Sequence, residues 1–249
     1  MIVAIDVGNT YAKWKAWKGK EFHAKGKFEH ALGDLDWKSS IRDNNPELIV
    51  YADVCDSGVD VQLRKSFPLA KLLQVRSSRE CMGVVNSYDC YERLGIDRWL
   101  AMIESYHMAG KRACCVFDFG TAATVDVVND KGMHQGGQIV PGLRMLRVTL
   151  PKYTGKVRFD AENKLEIGYG VSTVEAVEKG SLSMLVAWAN QEVKNFYRAY
   201  PGGRVYVTGG TAPLIIHHLD KRVILNDDMV LDALLRVAES NPDKLKVAG

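Results

Sequence analysis

Residues 2–15 read IVAIDVGNTYAKWK, and residues 114–128, CCVFDFGTAATVDVV, repeat the design. Each begins with a β-type run, reaches Asp-x-Gly, passes through Asn-Thr or Thr-Ala, and enters a second β-type run. Taken singly, Asp-Val-Gly-Asn-Thr is a hairpin turn, because Asp, Gly and Asn favour turns on their own account. Two such turns at corresponding places in one chain call for a shared chemical reason.

Reading outward, YAKWKAWK (11–18) and EFHAKGKF (21–28) form two more strands, with Gly19 and Lys20 turning between them. PELIVYADV (46–54) reads as a buried strand, VQLRKSFP (61–68) as a short helix stopped by Pro68, and AKLLQV (70–75) as a strand. LGIDRWLAMIESYHMAG (94–110) is a helix closed by Gly110. The programme then restarts. ACCVFDFG, AATVDVVND and MHQGGQIV give three strands, with NDKG (129–132) as a hairpin turn.

A helix follows with Pro141 as its entry residue, and the longest helix spans 172–200 with Ser172 or Thr173 as N-cap. GRVYVTGGTAPLI reads as strand, glycine turn and helix, and DDMVLDALLRVAES as an amphipathic helix with acidic residues in its first turn. The expected fold class is α/β, with two lobes at 1–110 and 111–249 and a site in the cleft between them.

Bulk properties narrow the class. The 249 residues are 47% hydrophobic and 25% charged, an ordinary globular balance without low-complexity tracts. A net charge of +3 with scattered basic residues gives no reason to expect nucleic acid. No apolar run approaches the roughly 18 residues of a membrane span, and no signal peptide is evident. The cysteines at 55, 81, 90, 114 and 115 have no metal-binding spacing; Cys114 and Cys115 lie in an apolar run as small core residues. A reduced, cytoplasmic protein is expected.

A tight glycine turn brings backbone N–H groups close to a ligand with no Cβ in the way. Thr10, Thr121 and Thr124 add hydroxyls and Asn9 an amide, a combination suited to phosphate oxygens. Asp6 and Asp118 would repel phosphate directly, so a cation must mediate, either Mg²⁺ or a larger monovalent ion. Lys13 lies on the strand leaving the first turn, within reach of a terminal phosphate. Facing turns of this kind suit a nucleoside triphosphate. Two further glycine runs, VTGGTA (207–212) and GGQIVPG (136–142), are candidates for the nucleoside contact and the cleft floor.

These turns resemble those of the actin/hexokinase/Hsp70 phosphotransferase superfamily, whose lobes are ribonuclease-H-like with mixed β-sheets flanked by helices. More specifically, the chain is similar to the type III pantothenate kinases. The resemblance is carried by DVGNTYAK (6–13), LGIDRW (94–99), DFGTAATV (118–125), GGQIVPG (136–142), STVEAVEKG (172–180) and VTGG (207–210), in family order. It implies ATP-dependent phosphorylation of pantothenate, the first step of coenzyme A synthesis. It further implies Mg²⁺, a monovalent cation such as K⁺ or NH₄⁺, and a homodimer.

By motif, Asp6, Val7, Gly8, Asn9, Thr10, Tyr11, Ala12, Lys13 and Thr121 would bind ATP, and Asp118 the monovalent cation. Tyr88, Gly95, Ile96, Asp97, Arg98 and Thr173 would contact pantothenate, with Asp97 as proton acceptor. The residues themselves agree on Asp97. It falls in the first turn of a predicted helix, where free N–H groups and the dipole favour a carboxylate. Arg98 has the fork geometry to hold a substrate carboxylate. Cys90 stands where the family often has proline, which is expected to loosen the segment carrying Tyr88; KYTGKVRF (152–159) matches no family stretch. The competing expectation is a non-catalytic nucleotide-binding accessory factor, which would keep both turns but has no need of Asp97.

Overall fold

The computed structural model describes residues 1–19, 21–29, 41, 45–55, 57–154 and 166–240. Lys20 of the expected second turn and residues 155–159 of KYTGKVRF lie outside them. The chain divides into two units, Met1–Glu104 with Asp228–Gly249, and Ser105–Asp227.

Alternating apolar residues build the first sheet. β1 (Ile2–Val7) pairs antiparallel with β2 (Tyr11–Lys18), which pairs antiparallel with β3 (Glu21–Glu29). On its other side β1 pairs parallel with β4 (Leu48–Asp53), and β4 with β5 (Lys71–Gln74), giving the order β3-β2-β1-β4-β5. Val3, Ile5, Val7 and Trp14 face helix α1 (Val59–Ser66), whose Val59 and Leu63 complete that core. Helix α2 (Ile96–Met108) follows a small hairpin, β6 (Glu80–Cys81) and β7 (Val84–Val85), that the sequence patterning did not reveal.

The second unit repeats the plan. β8 (Cys114–Phe119), β9 (Ala122–Val128) and β10 (His134–Pro141) form the antiparallel meander. β11 (Arg204–Thr208) and β12 (Ile224–Leu225) add in parallel, giving β10-β9-β8-β11-β12. The same connectivity in both sheets, three meandering strands and then two parallel ones, is the ribonuclease-H-like pattern expected of each lobe. Helices α3 (Leu143–Thr154) and α4 (Thr173–Ala199) precede β11, and α5 (Ala212–Ile215) follows it. Leu182, Leu185, Val186, Ala189 and Phe196 of α4 pack with Phe117 and Phe119 of β8. Burial pushes the thiol of Cys114 up to about 12 and that of Cys115 well above its ordinary value, as befits core residues.

One detail differs from the sequence reading. Pro141 is the last residue of β10, not the entry of a helix, and α3 begins at Leu143 after Gly142. The last helix, α6 (Met229–Ser240), returns to the first unit and packs on β1, β2 and β4. Its apolar stripe, including Met229, Ala233, Leu234 and Val237, is buried, and its Asp232, with Asp228 just before the helix, pairs with lysines of the sheet. Lys15 Nζ lies 2.7 Å from Asp232 Oδ1 and 3.1 Å from Asp228 Oδ2, and Lys25 Nζ 3.1 Å from Asp228 Oδ2. Among the described residues, no helix is long and apolar enough to cross a membrane.

Candidate active site

In the first unit, the β1–β2 register sets Asp6 opposite Lys13 and Val7 opposite Ala12. Gly8 N–H donates to the Tyr11 carbonyl at 3.0 Å, so Asn9 and Thr10 form the tip of the turn. The loop after β4 braces it. The Asp53 carboxylate accepts bonds from Cys55 N (3.1 Å), Ser57 N (2.7 Å) and Ser57 Oγ (2.9 Å). The Cys55 thiol thus reaches Asn9 Oδ1 at 3.1 Å, which leaves the Asn9 amide nitrogen as a donor.

The same unit holds the residues of LGIDRW. Asp97 sits in the first turn of α2, and its Oδ1 accepts the Arg98 N–H at 2.8 Å. A Cβ at Gly95 would lie 2.7 Å from that oxygen, so the carboxylate folds over space that only glycine leaves open. Arg98 is buried, and its Nη1 donates to Tyr88 Oη at 3.1 Å. Asp97, Arg98 and Tyr88 are therefore brought together. Ile96 is buried in the helix start and contributes backbone rather than an exposed side chain.

Sequence reasoning missed what holds Tyr88. Arg79 donates from Nη1 to the carbonyls of Asn86 (3.2 Å) and Tyr88 (2.9 Å), and from Nη2 to that of Asp89 (2.9 Å). Its guanidinium also sits 5.1 Å from the Tyr91 ring centroid. Asn86, buried, accepts from Tyr88 N at 3.0 Å and donates to the Tyr91 carbonyl at 3.2 Å. The segment expected to be loosened by Cys90 is braced by these two side chains. Their hydrogen-bond partners are main-chain groups, which carry no residue-type signal in the sequence. Two turns along α2, buried Glu104 is gripped by Arg236 of α6 at 2.7 and 2.9 Å.

In the second unit, Asp118 stands opposite Thr124 and Phe119 opposite Ala123, and Gly120 N–H donates to the Ala122 carbonyl at 3.0 Å. Six residues separate Asp6 from Lys13, but five separate Asp118 from Thr124. The second turn is thus one residue shorter, with a hydroxyl at the lysine's place. Parallel pairing sets Thr208 beside Asp118 and brings the third glycine turn against the second. Thr211 N–H donates to the Phe119 carbonyl at 2.9 Å. Gly209 has φ +98°, and a Cβ there would lie 2.3 Å from Asp118 Oδ1.

Gly142, the last residue of GGQIVPG, donates its N–H to the Thr121 carbonyl at 3.1 Å. A Cβ there would lie 2.4 Å from that oxygen. Of that run, Gly142 is thus the residue that meets the turn, while Gly136 and Gly137 belong to β10. Thr121 is exposed. Ser172 is the N-cap of α4, its hydroxyl accepting from Glu175 N at 3.3 Å, which leaves Thr173 exposed at the first helical position. Among the described residues, no hydrogen bond joins Thr173 to the rest of the expected set.

The carboxylate of Asp118, at the end of β8 beside the Gly209 turn, supplies a hard oxygen donor of the kind that fits K⁺ or Mg²⁺ and not a softer metal. Among the described residues, no group of three or more His, Cys, Asp or Glu gathers to hold a metal without help from a ligand's own oxygens.

The family described as type III pantothenate kinase matches residues 2–195. A type III pantothenate kinase of Ectopseudomonas mendocina (strain ymp) is 36% identical over 225 residues, covering 86% of this chain and 90% of its own. A protein of Campylobacter jejuni described as a Baf family transcriptional activator shares the fold. Its TM-score is 0.61 at 17% identity, over 97% of this chain and 99% of that one. Component A of (R)-2-hydroxyglutaryl-CoA dehydratase from Acidaminococcus fermentans aligns with a TM-score of 0.51 at 15% identity, over 95% of both chains.

Proposed function

Because the chain belongs to the type III pantothenate kinase family, and so transfers the γ-phosphoryl group of ATP to pantothenate, we propose that Asp97 accepts the proton of the attacking hydroxyl. The product is 4′-phosphopantothenate, and the reaction opens coenzyme A synthesis. The observation that carries the proposal is the Asp97 carboxylate folded over Gly95, beside the Arg98–Tyr88 pair. The pantothenate carboxylate pairs with the Arg98 guanidinium, Tyr88 fixes that guanidinium, and Gly95 to Arg98 with Thr173 complete the acceptor site.

Residues Asp6 to Lys13 and Thr121 hold the phosphates of ATP through backbone N–H groups, the Asn9 amide, hydroxyls and the Lys13 ammonium. Phosphoryl transfer needs mostly positioning and charge stabilisation, which such donors supply without reorganisation. Asp118 would hold K⁺ or NH₄⁺, and Asp6 would face Mg²⁺ carried by the nucleotide; both cations neutralise developing phosphate charge. A homodimer fits the exposed apolar side chains of Met145 and Val148 on α3 and Met184 on α4. An accessory factor that only bound nucleotide would have no use for a carboxylate set beside Arg98.

A coupled assay on the purified protein tests the reading. ADP release should require pantothenate, and K⁺ or NH₄⁺ should raise the rate several-fold over Na⁺. No turnover above blank with every cation supplied would sink the kinase assignment, and a rate indifferent to the monovalent ion would remove Asp118 from that role. Arg79→Ala should raise KM for pantothenate roughly tenfold, at about 1 kcal/mol per lost hydrogen bond with partial compensation by water. KM for ATP should stay within twofold; a parallel rise of both constants would mean that Arg79 serves the fold alone.

A further inference from the structure

We propose that Thr208 is a second protein ligand for the monovalent cation, its hydroxyl oxygen standing beside the Asp118 carboxylate; this rests on the reading of Asp118 as the cation residue. The strand registers carry the inference. Thr208 of β11 pairs in parallel with Asp118 of β8, and Thr124 of β9 stands opposite Asp118 on the other side. Paired residues leave the same face of a sheet, so the carboxylate is flanked by one hydroxyl on each neighbouring strand. The carboxylate also leans toward β11. A Cβ on Gly209, the residue after Thr208, would lie 2.3 Å from Asp118 Oδ1, against 3.4 Å for one on Gly120.

Thr208 is the polar exception in the buried part of its strand. Val205, Tyr206 and Val207 are enclosed, and Thr208, 3% exposed, is as deeply buried as Tyr206. Among the described residues, no hydrogen bond engages the Thr208 side chain. A buried hydroxyl without a partner costs stability, and valine would fill the same space without that cost. A cation seated between Thr208 and Asp118 answers it, because a hydroxyl oxygen is a hard neutral donor. Neighbouring strands lie about 4.8 Å apart. A large ion such as K⁺ or NH₄⁺ bridges oxygens on both, whereas Mg²⁺, which holds its ligands at roughly 2.0–2.1 Å, would draw them together. Thr124, half-buried, stays available to a phosphate oxygen. The competing role of Thr208 is that of a β-branched residue that fills the end of β11 and binds nothing.

Thermal melts and ATP calorimetry on the full chain, with KCl exchanged for choline chloride, decide between them. Thr208→Val keeps the branched shape and removes the oxygen. Without K⁺ its melting temperature should stay within about 2 °C of the parent or rise, and its ATP affinity should stay within about twofold. Its apparent affinity for K⁺ should fall roughly tenfold. Thr208→Ser, which restores the oxygen, should return K⁺ affinity to within about threefold, and Thr208→Ala against Thr208→Ser repeats the comparison without the branch. A full K⁺ response in Thr208→Val, or a loss of ATP affinity that is the same with and without K⁺, would overturn the role given to Thr208. If K⁺ moves neither measurement in the parent, or if Asp118→Asn keeps the whole response, the reading of Asp118 fails and takes this inference with it. A response lost in Asp118→Asn but full in Thr208→Val sinks Thr208 alone.

Discussion

Asp97→Asn should lower kcat by roughly 10²–10⁴-fold while ATP affinity stays within twofold of the parent. Asparagine matches aspartate in shape, so its Oδ1 can still accept the Arg98 N–H and still fits over Gly95. What it cannot do is take the proton of an attacking alcohol. At about 1.4 kcal/mol per decade, the expected loss is roughly 3–5.5 kcal/mol of transition-state stabilisation. Steady-state rates at saturating ATP and pantothenate, with calorimetric ATP binding, separate chemistry from binding. A rate within threefold of the parent would remove Asp97 from the base role. Loss of ATP binding together with rate would show that the side chain holds the site together instead.

Gly209→Ala should destabilise the second unit and weaken ATP, whereas Gly210→Ala should leave the melting temperature nearly unchanged. The two glycines are neighbours, which makes them a controlled pair. Gly209 has φ +98° and its added Cβ would meet Asp118 Oδ1 at 2.3 Å and Phe119 N at 2.6 Å. At Gly210 nothing lies within 4 Å of an added Cβ. Backbone strain alone costs about 1–3 kcal/mol. Displacing Asp118 and the strand end adds to it, and each kcal/mol lowers the melting temperature of a domain of this size by about 2–4 °C. A fall of roughly 5–10 °C is expected for Gly209→Ala, with ATP affinity down at least tenfold. Equal melting temperatures for the two variants would refute the close packing of the turns.

Local patterning made much of this readable in advance. The alternation in residues 2–18 and 114–128 gives the meanders, and the apolar spacing of 94–110 puts Asp97 in the first turn of a helix. Features that depend on distant pairing leave no local trace. Thr208 comes beside Asp118 through a parallel ladder between strands far apart in the chain. Pro141 favours a helix start by its fixed φ, but its carbonyl and side chain also suit the end of β10, and the ladder with β9 decides. Arg79 and Asn86 act on main-chain carbonyls, so no partner residue type betrays them. The amphipathic helix at 229–240 was plain, but its destination was not. Two acidic residues choose the lysine-bearing face of β2 and β3 only once that face exists.

The return of α6 also sets an order of events at the ribosome. The sheet begun by residues 2–7 lacks its cover until residues 229–240 have been made, whereas residues 105–227 are complete before then. A nascent chain halted at Asp227 would hold one finished body and one with Lys15 and Lys25 bare and the α6 side of β1, β2 and β4 open to water. Quality control can therefore judge the first unit only after residues 105–227 have been made, and a truncation before 229–240 injures the sheet begun by residues 2–7.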